Sequence, residues 1–155
     1  KGIENIFNGI KQISRNKDIR IIYTVHLNPN VQEPVMRILD RLPNVHLIPP
    51  QDYVSFVFLM KKAHIILTDS GGVQEEAPSL GKPVLVMRAR TERPEGLVAG
   101  TARLVGTDSA TIISQVELLI NDPKEYDKIS KRVNPYGDGS ASEKIYNFIL
   151  SEYKK

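Results

Sequence analysis

Ile65-Ile66-Leu67-Thr68-Asp69-Ser70-Gly71-Gly72-Val73-Gln74-Glu75-Glu76-Ala77-Pro78-Ser79-Leu80-Gly81-Lys82-Pro83 is the stretch whose pattern decides the fold. Ile65 to Thr68 is a short apolar, β-branched run and predicts a strand. The Asp-Ser-Gly-Gly turn follows, and the segment from Val73 to Leu80, rich in helix formers, predicts a helix bent or ended near Pro78. The start of a helix carries unpaired backbone N–H groups and the positive end of its dipole, so an anion over Ser70, Gly71 and Gly72 would be held without any lysine. Two glycines let a phosphate approach the backbone, and Ser70 adds a hydroxyl donor. Glu76, near the end of the first turn, is placed to accept from vicinal sugar hydroxyls, as acidic residues do for ribose in other nucleotide folds. An ordinary cap after a strand has the same local sequence, and Ser-Gly-Gly alone leaves both readings open.

Outward from this unit, helix and strand alternate along the chain. Ile3, Ile6, Phe7, Ile10 and Ile13 have helical spacing; Ile19 to Val25 predicts a strand, Pro29 to Leu42 a helix, and Val45 to Ile48 a strand. Asp52 is placed to cap a helix reaching Lys62. Beyond the central unit come strands at Pro83 to Met87 and Ala102 to Val105, and a helix capped by Asp108 or Ser109. A further helix starts at Asp122-Pro123, and a last one covers Ser142 to Glu152. Nearly continuous apolar strands separated by helices predict a doubly wound parallel sheet, an α/β fold covered on both faces. With no repeat or low-complexity linker, residues 1–155 are expected to form a single domain.

Composition excludes several classes. A chain of 155 residues, 41% hydrophobic and 25% charged, has the size of one globular domain. It has no cysteine, which removes disulfides, thiolate metal sites and a cysteine nucleophile. Three histidines, His26, His46 and His64, show no paired spacing, so neither a metal nor a cofactor is expected. The net charge of +3 comes from 21 basic and 18 acidic residues that are interspersed, which argues against a nucleic-acid surface. No apolar run reaches the length of a membrane span and no leader pattern opens the chain, so a soluble, cytoplasmic protein is expected.

Ligands of such sheets bind beyond the carboxyl ends of the strands, where His26, Gln51, the Ser70 turn and the segment Arg88 to Glu95 converge. No dinucleotide fingerprint follows the strand at Ile19, and no phosphate loop ending in Gly-Lys-Ser or Gly-Lys-Thr occurs. Gly137-Asp138-Gly139-Ser140-Ala141-Ser142 follows a turn, Asn134-Pro135-Tyr136, and reads as a helix cap. Adjacent Glu75 and Glu76 point about 100° apart on a helix and so cannot flank a glycosidic bond as a hydrolase pair.

The run Thr68 to Pro83 is accompanied by Thr91-Glu92-Arg93-Pro94-Glu95, Gly100-Thr101, Leu104 to Asp108, Val25-His26-Leu27-Asn28-Pro29 and Asn134 to Gly139. Together these motifs closely resemble the non-hydrolysing UDP-N-acetylglucosamine 2-epimerases over essentially the whole chain. The resemblance implies one Rossmann-like half of a glycosyltransferase-B type enzyme, the C-terminal half. In family members a His-Arg-Arg-Glu-Asn run stands shortly before the helix that Gly2 to Ile6 resembles. It also implies UDP or UDP-GlcNAc as ligand, a homodimeric full-length enzyme, and acid and base groups in the other half, leaving no catalytic residue in this one.

By the same resemblance, Ser70, Gly71 and Gly72 hold the diphosphate, Glu76 the ribose, Gln51 and Phe56 the uracil, and Arg93 the substrate, while His26 lies near the nucleotide. Taken from spacing alone, Phe56 reads as a core residue of an amphipathic helix, a reading the resemblance reverses. Arg93 is equally a surface partner of Glu92 or Glu95, and His26 a strand-end histidine bonded to a turn. His46 and His64 are taken as structural. The family's Arg-Asp-Thr-Thr-Glu-Arg-Pro-Glu loop reads Arg88-Ala89-Arg90-Thr91-Glu92-Arg93-Pro94-Glu95 here, a local departure at Ala89 and Arg90. Two functions of other classes share the anion site: the donor half of a UDP-sugar glycosyltransferase, and a non-catalytic UDP-sugar sensor.

Overall fold

The computed structural model describes residues 2–153. In chain order these form α1 (Gly2–Ile13), β1 (Ile21–Thr24), α2 (Pro29–Leu39), β2 (Val45–Ile48), α3 (Tyr53–Lys62), β3 (Ile66–Thr68) and α4 (Gly71–Glu76). A 3₁₀ turn (Ala77–Leu80), β4 (Val84–Val86), α5 (Pro94–Ala99), β5 (Ala102–Leu104), α6 (Ser109–Asn121), α7 (Pro123–Ser130) and α8 (Ala141–Tyr153) complete the order.

Aspartates start three helices. Asp52 accepts from the Ser55 N–H at 3.0 Å, Asp108 from the Thr111 N–H at 2.9 Å, and Asp122 from the Lys124 N–H at 2.9 Å. Of the two residues proposed to cap α6, Asp108 is therefore the one that does. The expected bend at Pro78 is the change from α to 3₁₀ winding, ended by Gly81 in the left-handed region at φ 65°. One helix was not anticipated. α5 is six residues long, too short for periodicity to reveal, although Pro94 in its first turn and Gly100 at φ 75° after its end are start and stop signals.

All strand pairs are parallel: Ile21 faces Val45 in β1–β2, Ile66 faces Val84 in β3–β4, and Val84 faces Ala102 in β4–β5. β4 is buried at every position. Leu85 and Met87 enter a large core with Phe7, Ile10, Leu39, Val105, Ile112 and Leu119, whereas Val84 and Val86 enter a second core with Met60, Ile66, Ala77 and Ala102. Side chains alternate along a strand, so one strand feeding two cores means helices cover both faces, as a doubly wound α/β fold requires. The sheet itself differs from expectation. It consists of a β1–β2 pair and a β3–β4–β5 sheet that share the large core without pairing to each other. Ile21 and Val25 donate toward the β2 side, to the Asn44 and Ile48 carbonyls, so the amides of Ile22 and Thr24 face the other way. Ile22 is 53% exposed, high for a strand of a doubly wound sheet.

Candidate functional site

The carboxyl end of β3 runs into the start of α4, and this junction organises the site. Ser70 occupies the N-cap position of α4 in extended backbone conformation, but its side chain makes no capping bond; Thr68 Oγ1 instead accepts from the Ser70 N–H at 3.0 Å. The Ser70 hydroxyl therefore remains available beside the N–H groups of Gly71, Gly72 and Val73, which have no acceptor within the helix. Both glycines are helical and neither has positive φ, so α4 begins two residues earlier than expected. What their missing side chains provide is room. A Cβ on Gly71 would lie 3.7 Å from Arg93 Nη2, and one on Gly72 would lie 3.9 Å from Ser70 Oγ and 4.0 Å from Glu76 Oε1. The arginine guanidinium thus stands beside Gly71, and the serine hydroxyl and the Glu76 carboxylate beside Gly72, around the start of one helix.

Arg93 reaches the turn from the loop after β4. Its Nε is bonded to the carboxylate of Glu75 on α4, and that hydrogen bond and charge push the guanidinium pKa further up. Its ion-pair partner is therefore Glu75; Glu92 contributes a weaker charge and a backbone carbonyl, 3.2 Å from Arg93 Nη1. The ion pair also separates the roles of the two adjacent glutamates. Glu75 is engaged by arginine, whereas Glu76 faces the first residue of α3: its charge, and the hydrogen bond it accepts, push the Tyr53 hydroxyl pKa up.

The other anticipated residues are spread around this centre. Gln51 precedes α3 and lines an open depression of about 370 Å³ with Ile48, Val54, Ser55, Phe58 and Leu59. Its Nε2 donates to the Pro49 carbonyl at 2.7 Å. Phe56 is half-buried and packs on the second core, while Phe58, which sequence reasoning did not single out, borders the depression. His26 lies exposed just beyond β1, where its Nδ1 accepts from the Asn28 N–H at 3.1 Å. That is the strand-end turn contact, and it leaves Nε2 outward. His64 stacks on Tyr126 with ring centroids 4.1 Å apart, just before β3, whose opposite, carboxyl end carries the Ser70 turn. Its pKa is lowered by burial and by Lys82. Among the described residues no group of three His, Cys, Asp or Glu could hold a metal ion, and no helix is long and apolar enough to cross a membrane.

Sequence reasoning missed Gln74, Thr91, Asn134 and Tyr136. Gln74 is 2% exposed and joins Ser70 to Thr91. Asn134 and Tyr136 strap α4 and α5 together from a distant loop. A polar residue inside the apolar face of a short helix was the available signal for Gln74, because a buried amide must be satisfied.

Family and fold comparisons agree with this geometry. The family model described as UDP-N-acetylglucosamine 2-epimerase matches residues 1–150. A probable UDP-N-acetylglucosamine 2-epimerase of Ralstonia solanacearum is 58% identical over 153 residues, which are 98% of this chain and 41% of that protein. The crystal structure of the Neisseria meningitidis UDP-GlcNAc 2-epimerase bound to UDP-GlcNAc superposes with a TM-score of 0.92 at 50% identity, covering 97% of this chain and 41% of the other. The S. aureus MnaA–UDP structure does so with a TM-score of 0.93 at 45% identity, over 99% of this chain and 42% of the other. The chain thus spans about two fifths of the length of the relatives it matches. With nearly all of its residues inside that match, the chain belongs to the UDP-N-acetylglucosamine 2-epimerase family.

Proposed function

We propose that this chain is the UDP-sugar-binding, C-terminal half of a two-domain enzyme that interconverts UDP-GlcNAc and UDP-ManNAc. The observation that carries the reading is the approach of Arg93 to Gly71, with the Ser70 hydroxyl and the Glu76 carboxylate beside Gly72, in a chain half identical to an epimerase solved with UDP-GlcNAc. Ser70, Gly71 and Gly72 take the diphosphate with Arg93 as counter-charge, and Glu76 takes the ribose hydroxyls. Gln51, at the apolar depression, bonds the base edge, Phe56 covers the uracil face, and His26 lies near the nucleotide. No metal or other cofactor is required.

Epimerisation by this route removes the proton at C2 and expels UDP to leave a glycal, then adds both back from the opposite face. The charge that develops is on the departing diphosphate, so a prearranged guanidinium and backbone N–H groups stabilise the transition state more than the ground state. The groups that move the C2 proton belong to the other half, and this fragment alone is inactive. Three features support a larger whole. The chain spans two fifths of its relatives, α8 exposes Ile145, Tyr146, Phe148, Ile149 and Tyr153, and β1 and β3 each keep an unpaired edge. A parallel strand from elsewhere in the polypeptide between β1 and β3 would give one sheet with its first strand at the centre, the doubly wound order. The full-length enzyme is a cytoplasmic homodimer in this reading. The test is incubation of the full-length protein with UDP-GlcNAc and no acceptor, followed by NMR. UDP-ManNAc must appear; release of UDP only when an acceptor is supplied would make the protein a transferase, and binding without turnover a sensor.

A further inference from the structure

Arg93 is the group that closes the site: its guanidinium is tied to Glu75, while its backbone is held by other contacts. Two hydroxyls hold that backbone, one from two residues earlier in the same loop and one from a distant loop. Thr91 Oγ1 accepts from the Arg93 N–H at 3.0 Å and donates to Gln74 Oε1 at 2.6 Å. Both directions are forced, since an amide N–H can only donate and an amide oxygen can only accept. Gln74 passes the constraint on to the turn, because its Nε2 donates to the Ser70 carbonyl at 3.2 Å. On the other side, Tyr136 Oη accepts from the Gly96 N–H at 2.9 Å and donates to the Arg93 carbonyl at 3.3 Å. This approach needs glycine at position 96, where a Cβ would stand 2.9 Å from Tyr136 Oη. Asn134, two residues before Tyr136, donates to Ser79 Oγ at 2.5 Å and to the Glu75 carbonyl at 3.4 Å, which ties the same loop to the far end of α4.

We propose that Thr91 and Tyr136 are positioning residues that hold the Arg93 backbone from both sides, with buried Gln74 as the anchor, so that the guanidinium stands over the Ser70–Gly72 turn before any ligand arrives. The role of Asn134 to Gly139, which the nucleotide reading of the site leaves unexplained, is then to carry one of the two clamps. This rests on the reading that the turn takes a nucleoside diphosphate. Preorganisation of this kind avoids the entropy of ordering a long cationic side chain on binding, so its loss weakens the charge-dependent part of affinity and leaves contacts to the nucleoside alone.

The experiment is an NMR titration of this chain with UDP and with uridine, in the parent, Thr91→Val, Tyr136→Phe and Arg93→Ala, and in each of the first two combined with Arg93→Ala. Loss of one positioning hydrogen bond is expected to weaken UDP about three- to tenfold. Uridine affinity is expected to stay within about twofold, because no charge is involved. Thr91→Ser, which keeps the hydroxyl, should recover the UDP affinity lost in Thr91→Val. In the Arg93→Ala background neither Thr91→Val nor Tyr136→Phe should weaken UDP further, since there is no guanidinium left to place. Equal weakening of UDP and uridine, an unchanged UDP affinity in both single variants, or a loss that persists without Arg93 would each overturn the proposal. A parent that binds UDP no better than uridine would instead overturn the diphosphate reading of the turn, and the positioning role with it.

Discussion

Replacing Gly71 by alanine should move stability and binding in opposite directions. The methyl group would lie 3.7 Å from Arg93 Nη2 and 3.8 Å from its Cζ, ordinary contact distances, and Gly71 has no positive φ that a side chain would strain. Folding is therefore unhindered, and removing a glycine from a helix gains up to about 1 kcal/mol from the unfolded chain's lost freedom. For a chain of this size that corresponds to a rise in Tm of roughly 2–4 °C. The same methyl fills the space between the turn and the guanidinium, where the diphosphate is placed. Keeping a phosphate oxygen from one or two backbone N–H groups costs about 1.5–3 kcal/mol, or roughly ten- to a hundredfold in affinity for UDP. Valine at the same position carries more volume and should abolish binding, with a smaller stability gain because β-branched side chains lose rotamers in a helix. Calorimetry with UDP, beside thermal melts followed by circular dichroism, measures both quantities. A folded Gly71→Ala variant that binds UDP as tightly as the parent would remove the anion from this turn.

Glu76→Ala should weaken UDP about ten- to a hundredfold by deleting a charged acceptor, measured by calorimetry on a folded variant; an unchanged affinity would take Glu76 out of the ribose site. Burial, and then the charge of Asp69, push the Tyr23 hydroxyl up to about 12. Its contribution to stability is thus complete below pH 10 and is lost between pH 10 and about 12, as the unfolded chain's phenol ionises first. Denaturant titrations across that range should show a shallower alkaline loss in Tyr23→Phe, and identical slopes would refute the assignment. The fragment itself should neither exchange the C2 proton of UDP-GlcNAc in deuterated water nor form UDP-ManNAc, because a base must come within hydrogen-bond reach of that proton. Exchange above a buffer control that disappears on mutating a residue of this chain would place the base here.

Local chemistry sufficed for several features decided over a few residues. The aspartates at 52, 108 and 122 announce helix starts because a carboxylate can reach the N–H two or three positions ahead. Val84-Leu85-Val86 announces a strand buried on both faces because it offers no polar side to water. The position of the Ser70-Gly71-Gly72 turn after a strand and at a helix start was legible, and with it the proposal that the turn and Glu76 form an anion and sugar-hydroxyl site. Arg93 is an ion-pair partner, but of Glu75 where Glu92 or Glu95 was expected, and it lies beside Gly71.

What tertiary structure alone decided are the relations between residues far apart in the chain. Thr91 meets Gln74 across 17 positions and Tyr136 meets Gly96 across 40, and no spacing rule along a strand or helix reaches that far. The same holds for sheet order. Every strand pattern here is compatible with one continuous sheet, because apolar alternation specifies which faces are buried and is silent about which edges are paired. That β1 and β3 share a core yet, among the described residues, have no strand between them is visible only in the tertiary structure.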